Sequence, residues 1–254
     1  MTRFSVLLRK DLREQWRTLR MPVVAIIFFV VGLGSPVLAK YTPELLKGAG
    51  GNIQITIPTP ELKDAVDQLI KNLGQVGPFA AILLAMSAVA RERERGTLAL
   101  VLSKPVTPSA FLGSKFVALL ATLGLAVVVA SIAAFAYTTL LFAQPPVAGF
   151  VACCLLILLG IMVFAAITFL ASTLLGSTLP AAGVGLGAYI LTAIISIDAR
   201  LGQFMPNGLS DPARALALGN SPPHLWISLL ANLFWIVAML VGSWLVFRNQ
   251  EFGS

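Results

Sequence analysis

The stretch Ala90–Phe116, ARERERGTLALVLSKPVTPSAFLGSKF, decides how the rest of the chain is read. Five consecutive charges, Arg91, Glu92, Arg93, Glu94 and Arg95, close one apolar segment, and a second apolar segment opens after Gly113-Ser114-Lys115. Charges at such an edge are ordinary anchors of a membrane span. Anchoring leaves unexplained the apolar ridge Leu98, Leu100, Val101, Leu102 that stands between the charges and the pair Lys104-Pro105.

The 254 residues are 57% apolar and 11% charged, with a mean hydropathy of +0.89. A soluble domain would carry roughly 25% charged residues. The chain therefore reads as an all-α integral membrane protein with one membrane domain, since no polar stretch is long enough for a second core. The net charge of +7 does not indicate nucleic acid, because the basic residues cluster at loop ends without interleaved aromatics. Cys153 and Cys154 are adjacent in an apolar run, point about 100° apart on a helix and suit no intrachain disulfide. A single histidine, His224, ahead of Trp226 reads as an interfacial polar residue, and no metal site is expected.

Residues 1–20 set Phe4, Leu7, Leu8, Leu12, Trp16 and Leu19 at helical spacing among six arginines and lysines. This predicts an amphipathic interfacial helix, with Leu8, Leu12 and Trp16 on its membrane face. Six spans are expected, at about 22–39, 76–90, 111–143, 147–172, 179–197 and 224–247. The Val-Leu-Ala end of the first resembles a leader-cleavage site, but the length and the acids Asp11 and Glu14 favour a retained span. Between the first two spans, 40–75 reads as an extracytoplasmic loop. It would contain a short amphipathic helix capped by Thr59, with Pro60 and Glu61 in its first turn and an apolar face Leu62, Ala65, Val66, Leu69, Ile70, Leu73. A helix over 211–218, ended by Gly219, is expected before the last span. Residues 91–108 form a cytoplasmic loop, and 249–254 a short tail.

An even number of spans puts both termini on one side. The terminus side then holds 12 lysines and arginines against 6 opposite, which predicts cytoplasmic termini in a multi-pass cell (plasma or inner) membrane protein. That count depends on an uncharged turn, Ser172–Pro180, between spans four and five.

No acid or base sits deep in a span, which argues against an ion-coupled carrier. HExxH, a metal-ligating set and a histidine partner for a serine nucleophile are all missing, so no catalytic residue is assigned. No phosphate loop is present: Gly113-Ser114-Lys115 has the wrong order and no matching upstream glycine, so this chain is not expected to hydrolyse ATP. Ser131, Thr138, Thr168 and Thr192 read as helix-to-helix glue. In span five, Gly183 and Gly187, like Ala181 and Gly185, are four apart. This spacing suits close packing, either inside the monomer or between two copies.

Glu92-Arg93-Glu94-Arg95-Gly96-Thr97, the run Leu100–Leu102, Lys104-Pro105-Val106 and Gly113–Lys115 together resemble the first cytoplasmic loop of ABC-2 type ABC transporter permeases. The likeness is tight over about 25 residues here and looser over the amphipathic first helix, the six spans and Arg248. The Gly-rich outer segment GAGGNIQITIPTP has no counterpart in that pattern. The resemblance implies a type V exporter-like fold and a homodimer, or a pair with a similar permease. It also implies two copies of a separate ABC-type ATPase, which would bring ATP and Mg2+; no cofactor is expected in this chain. Docking would use a coupling helix in this loop, assigning that role to Glu92, Arg93, Glu94, Arg95, Gly96, Thr97, Leu98, Val101, Lys104 and Pro105.

Two functions are then open, beside a third, an ATPase-independent channel or membrane scaffold. One is an exporter permease that converts ATP-driven closure into rearrangement of its spans. The other is a mechanotransmission or assembly subunit that relays ATPase motion to an extracytoplasmic partner gripping 40–75, without carrying substrate. The cargo is not readable from the residues.

Overall fold

The computed structural model describes residues 3–49, 59–94, 96 and 107–249. Of the coupling-loop assignments, Arg95, Thr97, Leu98, Val101, Lys104 and Pro105 lie outside the described residues, as does the tail beyond Asn249. Among the described residues the structure is helical throughout: α1 (Arg3–Arg17), α2 (Arg20–Ala49), α3 (Leu62–Ala85), α4 (Ala90–Glu94), α5 (Pro108–Leu141), α6 (Val147–Leu175), α7 (Thr178–Ile195), α8 (Ala199–Gly202), a 3-10 turn (Pro206–Leu209), α9 (Ser210–Ala217) and α10 (Leu225–Asn249). Six helical segments are long and apolar enough to cross a membrane: Arg20–Thr42, Leu62–Glu94, Pro108–Leu141, Val147–Leu175, Thr178–Ile195 and Leu225–Asn249.

Helix α6 is the central post, packed by α3, α7, α9 and α10, while α2 lies along α5 and α3. Its inward residues Phe150, Ile161, Phe164 and Phe169 are all at most 2% exposed. Aromatic pairs tie the helices around it: Phe150 meets Phe135, Phe164 meets Tyr189, and Phe169 meets Phe116. Helices α2, α7 and α10 keep long apolar faces turned outward, as suits side chains that meet lipid or another apolar surface. The α2–α5 contact is close at Gly32, where a Cβ would come within 2.3 Å of the Ala130 carbonyl oxygen. No side chain fits there, and the absence of one brings the two backbones together.

The region after the first span departs from expectation. Residues 40–49 continue α2, and the amphipathic segment 62–73 is not a separate surface helix. It runs straight into the second span as the single helix Leu62–Ala85. Its apolar face (Ala65, Val66, Leu69, Ile70, Leu73) is buried at 8% exposure or less against α2, α6 and α9, not laid on a membrane. Polar residues on the helix are also taken up by neighbours. Asn72 donates to Ser35 of α2 at 2.9 Å, and Asp67 pairs with Arg214 of α9. Pro78 sits inside this helix without ending it. The start shifts by two residues: Glu61 is the N-cap, its backbone N–H donating to the Asp64 carboxylate at 2.8 Å in a capping box. Of the expected loop 40–75, residues 40–49 and 62–75 are helical, and 50–58 lie outside the described residues.

Helix α5 begins at Pro108, with Thr107 as N-cap accepting from the Ala110 N–H at 3.3 Å. Its 34 residues reach about 51 Å at about 1.5 Å per residue, so the first turns stand clear of a ~30 Å hydrocarbon core. At the other end, α9 ends before Gly219, whose φ of +76° turns the chain toward α10.

Candidate functional site

The end of the bundle that carries both termini gathers α1, α4, the start of α5 and the α6–α7 turn around the five residues Ala90–Glu94. The second span breaks after Ala85, and the break is held by Ser172 of α6. Its hydroxyl oxygen accepts the backbone N–H groups of Val89 (3.2 Å) and Ala90 (3.0 Å) and donates to the Met86 carbonyl at 2.9 Å. Ser172 is fully buried, so it satisfies main-chain groups that water cannot reach. Helix α4 restarts the chain on this side chain.

Glu92 accepts from Lys115 of α5 at 2.8 Å and from Lys10 of α1 at 3.4 Å. Lys115 also faces Asp11 of α1 at 3.9 Å and stands 5.0 Å over the Phe111 ring. The Lys115 side chain is 9% exposed, so it does not reach for headgroups as its position at the opening of a span suggested. It neutralises a pair of carboxylates inside the protein. Asp11 accepts from the Ser114 hydroxyl at 2.8 Å. Burial drives the Asp11 carboxyl above the ordinary aspartate range of 3.8, against the opposing pull of Lys115 and the Ser114 bond. One turn on, the Thr122 hydroxyl donates to Gln15, and beyond α1 Arg20 donates to Ser87 at 2.9 Å. Asp11, Gln15, Arg20, Ser87, Glu92 and Lys115 line a cleft of about 250 Å³ between α1 and the bundle.

Glu94 faces the other way. Its carboxylate accepts the Thr178 N–H (2.7 Å), the Thr178 hydroxyl (2.7 Å) and the Ser177 hydroxyl (3.2 Å), closing the N-terminus of α7. A carboxylate there satisfies otherwise unpaired N–H groups and meets the positive end of the helix dipole. Gly176 ends α6 in a left-handed conformation (φ +62°), and Arg93 lies against it: a Cβ at Gly176 would meet the Arg93 Cδ at 2.4 Å. The uncharged turn between spans four and five is therefore charged after all, by side chains lent from α4.

Of the sequence-assigned coupling residues, the structure brings Glu92, Arg93 and Glu94 into this junction, and Gly96 follows in a left-handed turn (φ +67°). In α1, Leu8 and Leu12 are half-buried and Trp16 is exposed. The contacts with α5 run instead through Phe4, Asp11 and Gln15. Asp11, Gln15, Ser114, Ser172 and Ser177 escaped the sequence reading. The only available signal was an acid within a strongly basic helix. Ser131 and Thr192, read as glue, donate to carbonyls of their own helices, Val127 and Tyr189. In α7, Ala181 and Gly185 pack inward, Gly185 close upon Thr168 and Ile82, whereas a Cβ at Gly183 or Gly187 would meet nothing within 4 Å. Among the described residues no group of three His, Cys, Asp or Glu is placed to hold a metal ion.

The chain is similar to the uncharacterized transmembrane protein YxlG of Bacillus subtilis (strain 168), 27% identical over 255 residues, covering 96% of this chain and 97% of that protein. The family model of the ABC-2 family transporter proteins matches residues 5–215, from the first helix through the short helices that precede the last span. Six apolar helices with a match of that extent make this a multi-pass membrane protein, and the chain belongs to the ABC-2 transporter family.

Proposed function

We propose that the chain is the permease subunit of an ABC exporter, docked on a separate ATPase through residues 91–108, with both termini in the cytoplasm. One observation carries the reading. The four residues that lead into the loop are bonded at once to α1 through Lys10, to α5 through Lys115 and to α7 through Ser177 and Thr178, and their helix starts on Ser172 of α6. A push delivered at Arg91–Glu94 meets four helices directly. ATP and Mg2+ act in the partner, and closure of two ATPase copies displaces two permease copies. Gly183 and Gly187, where an added Cβ would meet nothing within 4 Å among the described residues, support α7 as a contact between copies. The basic excess of 12 over 6 supports the orientation.

The test is copurification under gentle extraction of the wild type and of Leu98→Asp/Val101→Asp, with any ATPase subunit identified. The reading predicts that a specific ATPase accompanies the wild type and is lost from a folded double variant. No ATPase with either protein would overturn it.

A further inference from the structure

At the opposite end of the bundle, a cavity of about 690 Å³ lies between the 3-10 turn, α9 and the start of α10. Arg200, Gln203, Asn207, Asp211, His224 and Ser228 give it a polar lining. Ser228 is fully buried, and its hydroxyl has no hydrogen-bond partner. Other buried serines here behave differently: Ser35 and Ser243 each donate to the carbonyl four residues back. One turn deeper, Asn232 spends its amide N–H groups on the Ser228 and Met205 carbonyls, while its side-chain oxygen is buried without a donor. A buried hydroxyl left unbonded is destabilising, so its place on a cavity wall points to an occupant.

Beside this cavity runs a second hollow of a different kind. Phe204, Ile227, Leu230, Phe234 and Trp235 shape a groove of about 500 Å³ with an almost wholly apolar lining. Ile227 and Ser228 are neighbours in α10, about 100° apart around it, so the groove adjoins the cavity around the same helix. The groove is fixed in shape by the Trp235 indole N–H, which donates to the Phe204 carbonyl at 3.3 Å. Trp226, 72% exposed, marks the level of the membrane surface. From His224 to Trp235 the helix advances about 16 Å, close to the depth of one leaflet of a ~30 Å core.

We infer that this pair of hollows binds one membrane amphiphile, its phosphate-bearing head in the polar cavity and an acyl chain along the α10 groove. Arg200, His224 and the Ser228 hydroxyl supply donors for phosphate oxygens, a group that guanidinium recognises well. Asp211 on the same lining accepts from hydroxyl or amine groups beyond the phosphate. A free phosphate would leave the groove unused, and a plain hydrocarbon would leave Arg200 and Ser228 unused. The site needs no ATPase, so its failure and the failure of the coupling reading are separately visible.

The experiment is thermal unfolding of the delipidated, detergent-held protein titrated with short-chain phosphatidylglycerol, with inorganic phosphate as the headgroup-only arm. The wild type is expected to show a saturable rise in Tm that phosphate does not reproduce. Arg200→Gln and Leu230→Asn, both at exposed positions and harmless to the fold, are each expected to raise the midpoint concentration about tenfold, as each removes about 1.4 kcal/mol of binding. Ser228→Val should weaken binding several-fold. An equal rise in wild type and variants would make the effect that of annular lipid and overturn the proposal. A full response to phosphate alone would overturn it too.

Discussion

The two ends of the bundle are built from different kinds of bond. At the terminus end, side chains from distant helices bond directly to one another: Glu92 to Lys10 and Lys115, Asp11 to Ser114, Arg20 to Ser87, and Glu94 to Ser177 and Thr178. At the other end, the side chains of Asn232 and Trp235 reach backbone carbonyls of the neighbouring turn, Asp67 pairs with Arg214 across helices, and Lys63 pairs with the nearby Glu61. The first construction suits the proposed transmission of force from an ATPase, and the second suits the proposed ligand site.

The comparison breaks most visibly at Lys115. Lys115→Met leaves Asp11 and Glu92 facing each other at 9% and 15% side-chain exposure, with Lys10 half-exposed beside Glu92. Stranding buried charge in this way is expected to cost about 3–5 kcal/mol, read as a lowered Tm in lipid nanodiscs. Adding Glu92→Gln should restore part of the loss. If the single variant melts like the wild type, the junction is not a charge-balanced unit. A smaller effect is expected from Ser172→Ala, which strips the acceptor from the Val89 and Ala90 N–H groups. About 1–3 kcal/mol is at stake, with faster hydrogen exchange at those two amides. Glu94→Gln sharpens the contrast without threatening the fold. It keeps the shape of the α7 cap but removes its charge, so exchange should quicken at residues 178–181 and stay unchanged at residues 210–217.

How far the sequence could be read follows the same division. The six apolar helices, the basic first helix and the α9–Gly219 ending were legible because periodicity, length and capping residues are local signals. The family likeness was legible in a short linear motif. The junction was not, because apart from Glu92–Lys115, 23 residues apart, it is made by pairs 67 to 107 residues apart, and nothing local tells that Glu94 will cap a helix 84 positions away. The continuity of α3 through Pro78 was hidden for a related reason. Its amphipathic half read as a separate short helix resting on the membrane surface or on its neighbours, and only the helices packed around it decide for the neighbours. The mixed small-residue pairs of α7 show the limit well, since spacing alone cannot tell the packed Gly185 from the open Gly187.

The finest test concerns Asp11, where burial and pairing oppose each other. Its carboxyl is raised above 3.8 because desolvation outweighs Lys115, Ser114 and Lys10. In the window from 3.8 up to that raised value the folded protein holds the proton and the unfolded chain does not, so stability falls as pH rises through it. Above the window the charged carboxylate remains a net burden. Asp11→Asn keeps an oxygen to accept from Ser114 and leaves Lys115 its shorter bond to Glu92. The variant should therefore lose the downward slope of Tm against pH in that window and match or slightly exceed the wild type at neutral pH. A variant that melts clearly lower at neutral pH would mean that the Lys115–Asp11 attraction, not burial, governs this site. The junction would then hold α1 by charge instead of by shape.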